Sequence, residues 1–178
     1  QMCIRDSVSI SITDVNEASP VFAAGDTDSQ NVAEVTTVAT YSATDADGTA
    51  TLTYSVTGGV DSNLFSINSG TGALTFSSAP DYETPGCGAN DDSNVCTVVL
   101  SVTDGANADS ITITATVTDL NEASPVFSAG ETASANVGEG TTTVGTYAAT
   151  DADGTATQTY SIVAVGDAAA SVDHDLFA

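Results

Sequence analysis

Short acidic stretches recur along this chain at spacings that bring several oxygen atoms within reach of one ion. Asp119, Asn121 and Glu122 fall in TDLNEASPVF (118–127), and Asp14, Asn16 and Glu17 in the near-identical TDVNEASPVF (13–22). Asp45 with Asp47, and Asp151 with Asp153, alternate in two DADG turns. Glu34 lies in NVAEV, Asp81 and Glu83 in PDYETP, and Asp104 in TDG. Calcium takes about six to eight oxygen ligands from carboxylates, carbonyls and Asn side chains, and DxD and DxNE each offer several from one short piece of chain. No Cys or His accompanies these stretches, which argues against zinc or copper.

Rival chemistries fare worse. An isolated Asp beside Gly is usually a turn former, and DADG or TDG alone says no more than that. Asp81 with Glu83, or Asp151 with Asp153, would have to flank a sugar to act as a glycosidase pair. Residues two apart point the same way, no aromatic platform accompanies them, and the chain has no Trp. His174 has no nucleophile beside it. It lies in VDHDLFA, which matches VDSNLFS (60–66), where Ser62 takes its place, so it reads as a solvated loop residue rather than a general base. No catalysis is expected in this chain.

The composition narrows the partners. Twenty-four Asp and Glu stand against one Lys or Arg, a net charge of −23, which repels nucleic acid and anionic membrane surfaces. Neither is expected as a partner; something cationic is. With 41% hydrophobic residues the chain is not an acidic disordered tail, and its abundant Thr and Val favour strands over helices. No apolar run approaches the roughly 18 residues needed to cross a bilayer, and the start lacks the apolar core of a secretion signal.

Elements that hold these carboxylates follow from a repeat. The decapeptides lie 105 residues apart, and YSATDADGTATLTYSV (41–56) matches YAATDADGTATQTYSI (147–162) at 13 of 16 positions. A unit of about 105 residues is far longer than a solenoid repeat and close to the ~100 of an immunoglobulin-like sandwich. Alternating runs at 36–44, 50–56, 63–67, 72–76, 96–104 and 109–119, with one more strand between Pro20 and Ala33, make about seven strands. Turns at 45–48, 57–59, 68–72 and 104–109 separate them. The expectation is all-β: an antiparallel, immunoglobulin-like Greek-key sandwich, in tandem. Its core is expected from Phe22, Val38, Tyr41, Leu52, Tyr54, Phe65, Ile67, Leu74, Phe76, Val98, Leu100, Val102, Ile111, Ile113 and Val117.

Domain boundaries follow from the offset. Residues 19–119 are expected to be a complete repeat, 8–18 the last strand of an earlier one, and 120–178 the first half of a later one. MCIRDS (2–7), with Arg5 and Cys3, resembles the translated end of a transposase adaptor used in sequencing libraries, so residues 1–7 are set aside as a scar. Cys87 and Cys96 bracket the acidic GANDDSNV (88–95). They are either a disulfide, worth roughly 2–3 kcal/mol and pointing to an oxidising compartment, or two free thiols.

Taken together, the motifs resemble the cadherin repeat family, in the cadherin-like form found in large bacterial surface and secreted proteins. The family's inter-repeat DxNDNxPxF is matched by DVNEASPVF and DLNEASPVF, its DxD by DADG, its DRE by DYE and its xDxG by TDG, over essentially all of 8–178. The resemblance implies two Ca2+ ions at the second seam, sharing Glu34, Asp81, Glu83, Asp119 and Glu122, with Asp153 and the Leu120 carbonyl contributing. A third ion would take Asn121, Asp151 and Asp153. At the first seam it implies a site of Asn16, Asp45, Asp47 and Asp104, with Asp14 and Glu17 serving ions whose other ligands lie upstream. Glu17 and Glu122 stand where the family most often has Asp, which puts the outermost ion's geometry in question. Seven carboxylates gather about the second seam, a local −7 that three divalent ions would reduce to −1.

The resemblance thus implies an extracellular or cell-surface array, rigidified by calcium for adhesion to other surface proteins or polysaccharide, homophilic contact included. The alternative is a structural spacer or carbohydrate-binding accessory module of a large secreted enzyme. Neighbouring sequence would discriminate the two, showing either a catalytic domain or more repeats with an export or anchoring signal.

Overall fold

The computed structural model describes residues 7–48, 50–154 and 157–162, so Arg5, His174, nearly all of the adaptor-like start and the end of the second repeat lie outside the described residues. The chain divides into two compact units, 1–120 and 121–178.

Among the described residues of the first unit nine strands form: β1 (Val21–Phe22), β2 (Thr27–Ala33), β3 (Thr37–Thr40), β4 (Ala43–Thr44), β5 (Thr53–Gly58), β6 (Phe65–Ile67), β7 (Ala73–Phe76), β8 (Val95–Thr103) and β9 (Ala108–Thr118). One sheet runs β2-β9-β8-β5 and the other β3-β7-β6, with β1 and β4 as a small separate pair. The chain crosses between these two sheets after β2, β3, β5 and β7, which gives the immunoglobulin-like sandwich. A 3-10 turn, Ser62–Leu64, leads into β6.

Strict alternation in the sequence builds the long hairpin. β8 and β9 pair antiparallel from Val95↔Thr116 to Thr103↔Ala108. Period-2 side chains send Cys96, Val98, Leu100 and Val102, with Ile111, Ile113, Ala115 and Val117, into the core and their Thr and Ser neighbours outward.

Two expected strands are each broken in two. The stretch between Pro20 and Ala33 splits at Gly25, whose φ of +80° admits the turn from β1 to β2. The 36–44 run divides at Tyr41, whose N–H bonds Gly72 O at 2.9 Å as the last bond to the β7 side, before Ala43–Thr44 pairs with β1 instead. Gly72 also has a positive φ, +71°, and a Cβ there would strike the Tyr41 carbonyl. The expectation of a wholly antiparallel sandwich is also corrected: β2 lies parallel to β9, from Thr27↔Thr112 to Ala33↔Thr118. Widely separated strands meet free of the hairpin constraint that forces antiparallel pairing.

Twelve of the fifteen expected core residues are buried; Val38, Leu52 and Ile67 pack against the core from half-buried positions. Val32, Cys87, Cys96 and Ala115 join it. Residues 8–18 pair with no strand of the described chain, and their apolar side chains Val8, Ile10 and Ile12 are exposed.

In the second unit β10 (Val126–Phe127) pairs antiparallel with β11 (Ala149–Thr150). The register, Val126↔Thr150 and Phe127↔Ala149, repeats that of β1 with β4, Val21↔Thr44 and Phe22↔Ala43.

Candidate metal centre

Glu34 follows β2 directly, and the fold carries the irregular segment after β7 back to it. There Glu34, Asp81 and Glu83 each present a carboxylate oxygen, all within 4.8 Å of one another. The Glu34 carboxylate organises this corner. Its Oε1 accepts the Tyr82 N–H at 2.8 Å, and its Oε2 the Leu120 N–H at 2.7 Å. One side chain thereby ties the Asp81–Glu83 segment to the chain leaving β9. Asp81 Oδ1 accepts the Thr84 N–H at 3.0 Å. Asp119 sits at the end of β9 with its Oδ1 buried.

No Lys or Arg lies among the described residues, since the one in the chain is Arg5. Like charges at such separations repel by roughly 1 kcal/mol in water and about 4 at an effective dielectric near 20. A hard cation relieves that repulsion, and every donor here is oxygen, the set calcium prefers.

At the first decapeptide the turn and the seam are bonded to each other. Asp47 Oδ2 accepts the Ala18 N–H at 2.6 Å, and the Asp47 N–H bonds Asp45 Oδ1 at 2.8 Å. Asp45 Oδ2 is buried and has no hydrogen-bond partner among the described residues. Such an orphaned acceptor fits a cation site, because a buried carboxylate oxygen without a donor is costly. Asp104 Oδ1 accepts the Asn107 N–H at 2.6 Å and the Ala106 N–H at 2.7 Å. The Asn107 backbone bond, with help from Ala106 and the Asn16 side chain, holds the Asp104 carboxyl below its ordinary range. Asn107 also reaches the decapeptide itself, giving Nδ2–H to Ala18 O at 2.7 Å. Asp14 and Glu17 are exposed.

The second unit repeats the device within itself. Asp153 Oδ2 accepts the Ala123 N–H at 2.8 Å, and the Asp153 N–H bonds Asp151 Oδ1 at 3.1 Å. Asn121 and Glu122 are exposed, and Asp153 is buried.

Beside the Glu34 corner Cys87 and Cys96 are joined as a disulfide, with both residues buried. Asp61, 3% exposed, accepts Gly88 N–H at 2.7 Å and Thr97 N–H at 2.6 Å, clamping both ends of the disulfide loop. Sequence reasoning passed over Asp61, Asn94 and Asn107. For Asp61 a signal existed, since VDSNLFS recurs as VDHDLFA with the Asp kept at 173.

No protein-family model matches the sequence. Among curated proteins the chain is 33% identical over 155 residues to mouse cadherin EGF LAG seven-pass G-type receptor 2, covering 83% of this chain and 5% of that protein. It is 34% identical over 130 residues to human protocadherin Fat 1, covering 68% of this chain and 3% of that one. The chain thus spans a small fraction of the relatives it matches. Among solved structures, human protocadherin-24 EC1-2, Form II, aligns at a TM-score of 0.53 and 25% identity, over 78% of this chain and 63% of that one. Human CDH23 EC21-23 aligns at 0.51 and 20% identity, over 79% and 46%, and shares the fold.

Proposed function

The chain is built from cadherin repeats, and from that premise we propose that it is a calcium-stiffened piece of an adhesive extracellular array. The observation that carries the reading is the convergence of Glu34, Asp81 and Glu83 within 4.8 Å, with Lys and Arg absent from the described residues. Asp119 and the Leu120 carbonyl would join them, with Glu122 and Asp153 supplied from the second repeat. Asn121, Asp151 and Asp153 would hold a further ion, and Asn16, Asp45, Asp47 and Asp104 the corresponding one at the first decapeptide.

Bound calcium would supply the positive charge that offsets these carboxylates. The chain's own groups do the rest. Glu34 fixes two backbone segments in one place, and the Asp47 and Asp153 carboxylates grip the decapeptides through Ala18 and Ala123. A seam neutralised in this way resists bending, and a chain of net charge −23 without it repels itself. The partners of such an array are other cell-surface proteins, second copies included, and its place is outside the cell or on its surface.

Calorimetric calcium titration of the full chain tests this. Saturable uptake is expected in the range of extracellular modules, about 0.1–1 mM, weakened at least roughly tenfold by Asp81→Asn or Glu83→Gln. Absence of uptake at several millimolar calcium overturns the reading.

A further inference from the structure

The segment carrying Asp81 and Glu83 belongs to no strand, so something other than a sheet ladder must hold it in place. Packing beneath it is incomplete: a cleft of about 400 Å³, lined by Phe76, Pro80, Asp81, Thr84, Cys87 and Asn94 among others, runs under it. Hydrogen bonds to the Tyr82 peptide take over that role. Glu34 holds its N–H, and the Asn94 Nδ2–H donates to its C=O at 2.9 Å. Tyr82 stands between the two carboxylates, so fixing its backbone fixes the origin of both side chains.

Asn94 is itself held firmly. Its C=O accepts the Val117 N–H at 2.7 Å, and it lies inside the loop closed by Cys87–Cys96. Within the loop Cys87 and Ser93 exchange both backbone bonds, each at 3.0 Å, and Asp61 secures Gly88 and Thr97 from outside. The acidic GANDDSNV insertion thus closes on itself as an anchored ring that reaches toward the metal corner through the Asn94 amide.

We propose that Asn94 is a positioning residue for the calcium corner, and that the disulfide loop serves to present it to Tyr82. This rests on the calcium reading above. An amide is required here because the Tyr82 carbonyl needs a donor, and a carboxylate in that place offers none at neutral pH.

Asn94→Asp is the discriminating variant, because it adds a negative charge near the corner while removing the donor. Charge alone predicts tighter calcium binding; positioning predicts weaker. Calorimetry on the full chain is expected to show Asn94→Asp and Asn94→Ala binding calcium about three- to tenfold more weakly than wild type, consistent with the loss of one hydrogen bond. Unfolding midpoints measured without calcium separate this from general destabilisation. A second arm needs no variant: in calcium-free wild type, hydrogen exchange at the Tyr82 amide should quicken when a dithiol reduces the Cys87–Cys96 bond. Asn94→Asp binding as tightly as wild type, or Tyr82 exchange indifferent to reduction, overturns the positioning role and leaves the calcium reading standing. Wild type taking up no calcium overturns both.

Discussion

Phe22 and Tyr54 in the first unit stand 6.1 Å apart with their rings inclined at 52°, and Phe127 and Tyr160 in the second stand 6.2 Å apart at the same 52°. In each unit the Tyr hydroxyl accepts a backbone N–H, from Ala43 at 2.9 Å and from Ala149 at 3.0 Å. Yet Phe22 is 2% exposed and Phe127 51%, Tyr54 7% and Tyr160 56%. Identical local geometry therefore coexists with opposite burial. The seam apparatus, made of decapeptide, DADG turn and aromatic pair, is encoded in two short stretches of sequence. Burial comes from elsewhere, from the β8–β9 hairpin that closes over the first unit.

The comparison breaks most sharply at that hairpin. Ile113 is fully buried in β9, and Ile113→Ala should cost about 2–5 kcal/mol through lost transfer energy and the cavity left behind. Chemical denaturation followed by NMR would report both units at once. The first unit's signals should collapse at a lower denaturant concentration, while the Phe127–Tyr160 ring contact persists as in wild type. If that contact is lost together with the first unit, the second repeat's geometry is not locally encoded.

This division explains what could be read in advance. The acidic motifs, the strand alternation and twelve core residues lay in patterns of period 2 and in the self-match, all of them local. The split of 36–44 at Tyr41 was invisible because it depends on Ala43–Thr44 pairing with Val21–Phe22, some twenty residues upstream. The parallel seating of β2 on β9 depends on strands some eighty residues apart. Asn94 was missed because its partner, the Tyr82 C=O, is a backbone group that leaves no mark on residue type, whereas Asp61 left a signal in the recurring VD of 60–61 and 172–173 that went unread. Glu34, Asp81 and Glu83, which the fold brings within 4.8 Å of one another, stood out in the sequence as carboxylates of short acidic stretches.

A second contrast lies between Tyr41 and its counterpart Tyr147. Tyr41 is 3% exposed and gives its hydroxyl to Asp28 Oδ2 at 3.0 Å, whereas Tyr147 is 43% exposed. Burial, and then the Asp28 carboxylate, push the Tyr41 phenol well above its usual value of 10.0. The Gln30 amide in turn holds the Asp28 carboxyl below its ordinary range. A folded pKa above the unfolded one means that the tyrosine's contribution is whole below about pH 10 and is lost as pH rises beyond it. Stability measured by denaturant at successive pH values should therefore fall above about pH 10, by at most ~1.4 kcal/mol per pH unit from this one group. Tyr41→Phe should flatten that part of the curve, and Tyr147→Phe should leave it unchanged. Equal slopes in all three proteins would remove Tyr41 from the account.

The finest test compares the hydroxyls of the two aromatic pairs directly. Tyr54→Phe deletes the acceptor for the Ala43 N–H inside a packed unit, where water does not readily replace it, and should cost about 1–2 kcal/mol. Tyr160→Phe deletes the same bond to Ala149 at a site open to solvent, where water takes the place of the phenol, and should cost under about 0.5 kcal/mol. The two substitutions remove one oxygen each from matching ring pairs. Since Tyr160 also gives its hydroxyl to Gln158 Oε1 at 3.3 Å, where the first unit has Leu52, their difference measures burial together with that exposed bond. Equal costs would mean that Tyr160 is as shielded in solution as Tyr54, so that the second repeat closes over its aromatic pair as the first one does. Unequal costs would establish that the seam's bonds, shaped by local sequence, gain their strength only where a hairpin such as β8–β9 excludes water from them.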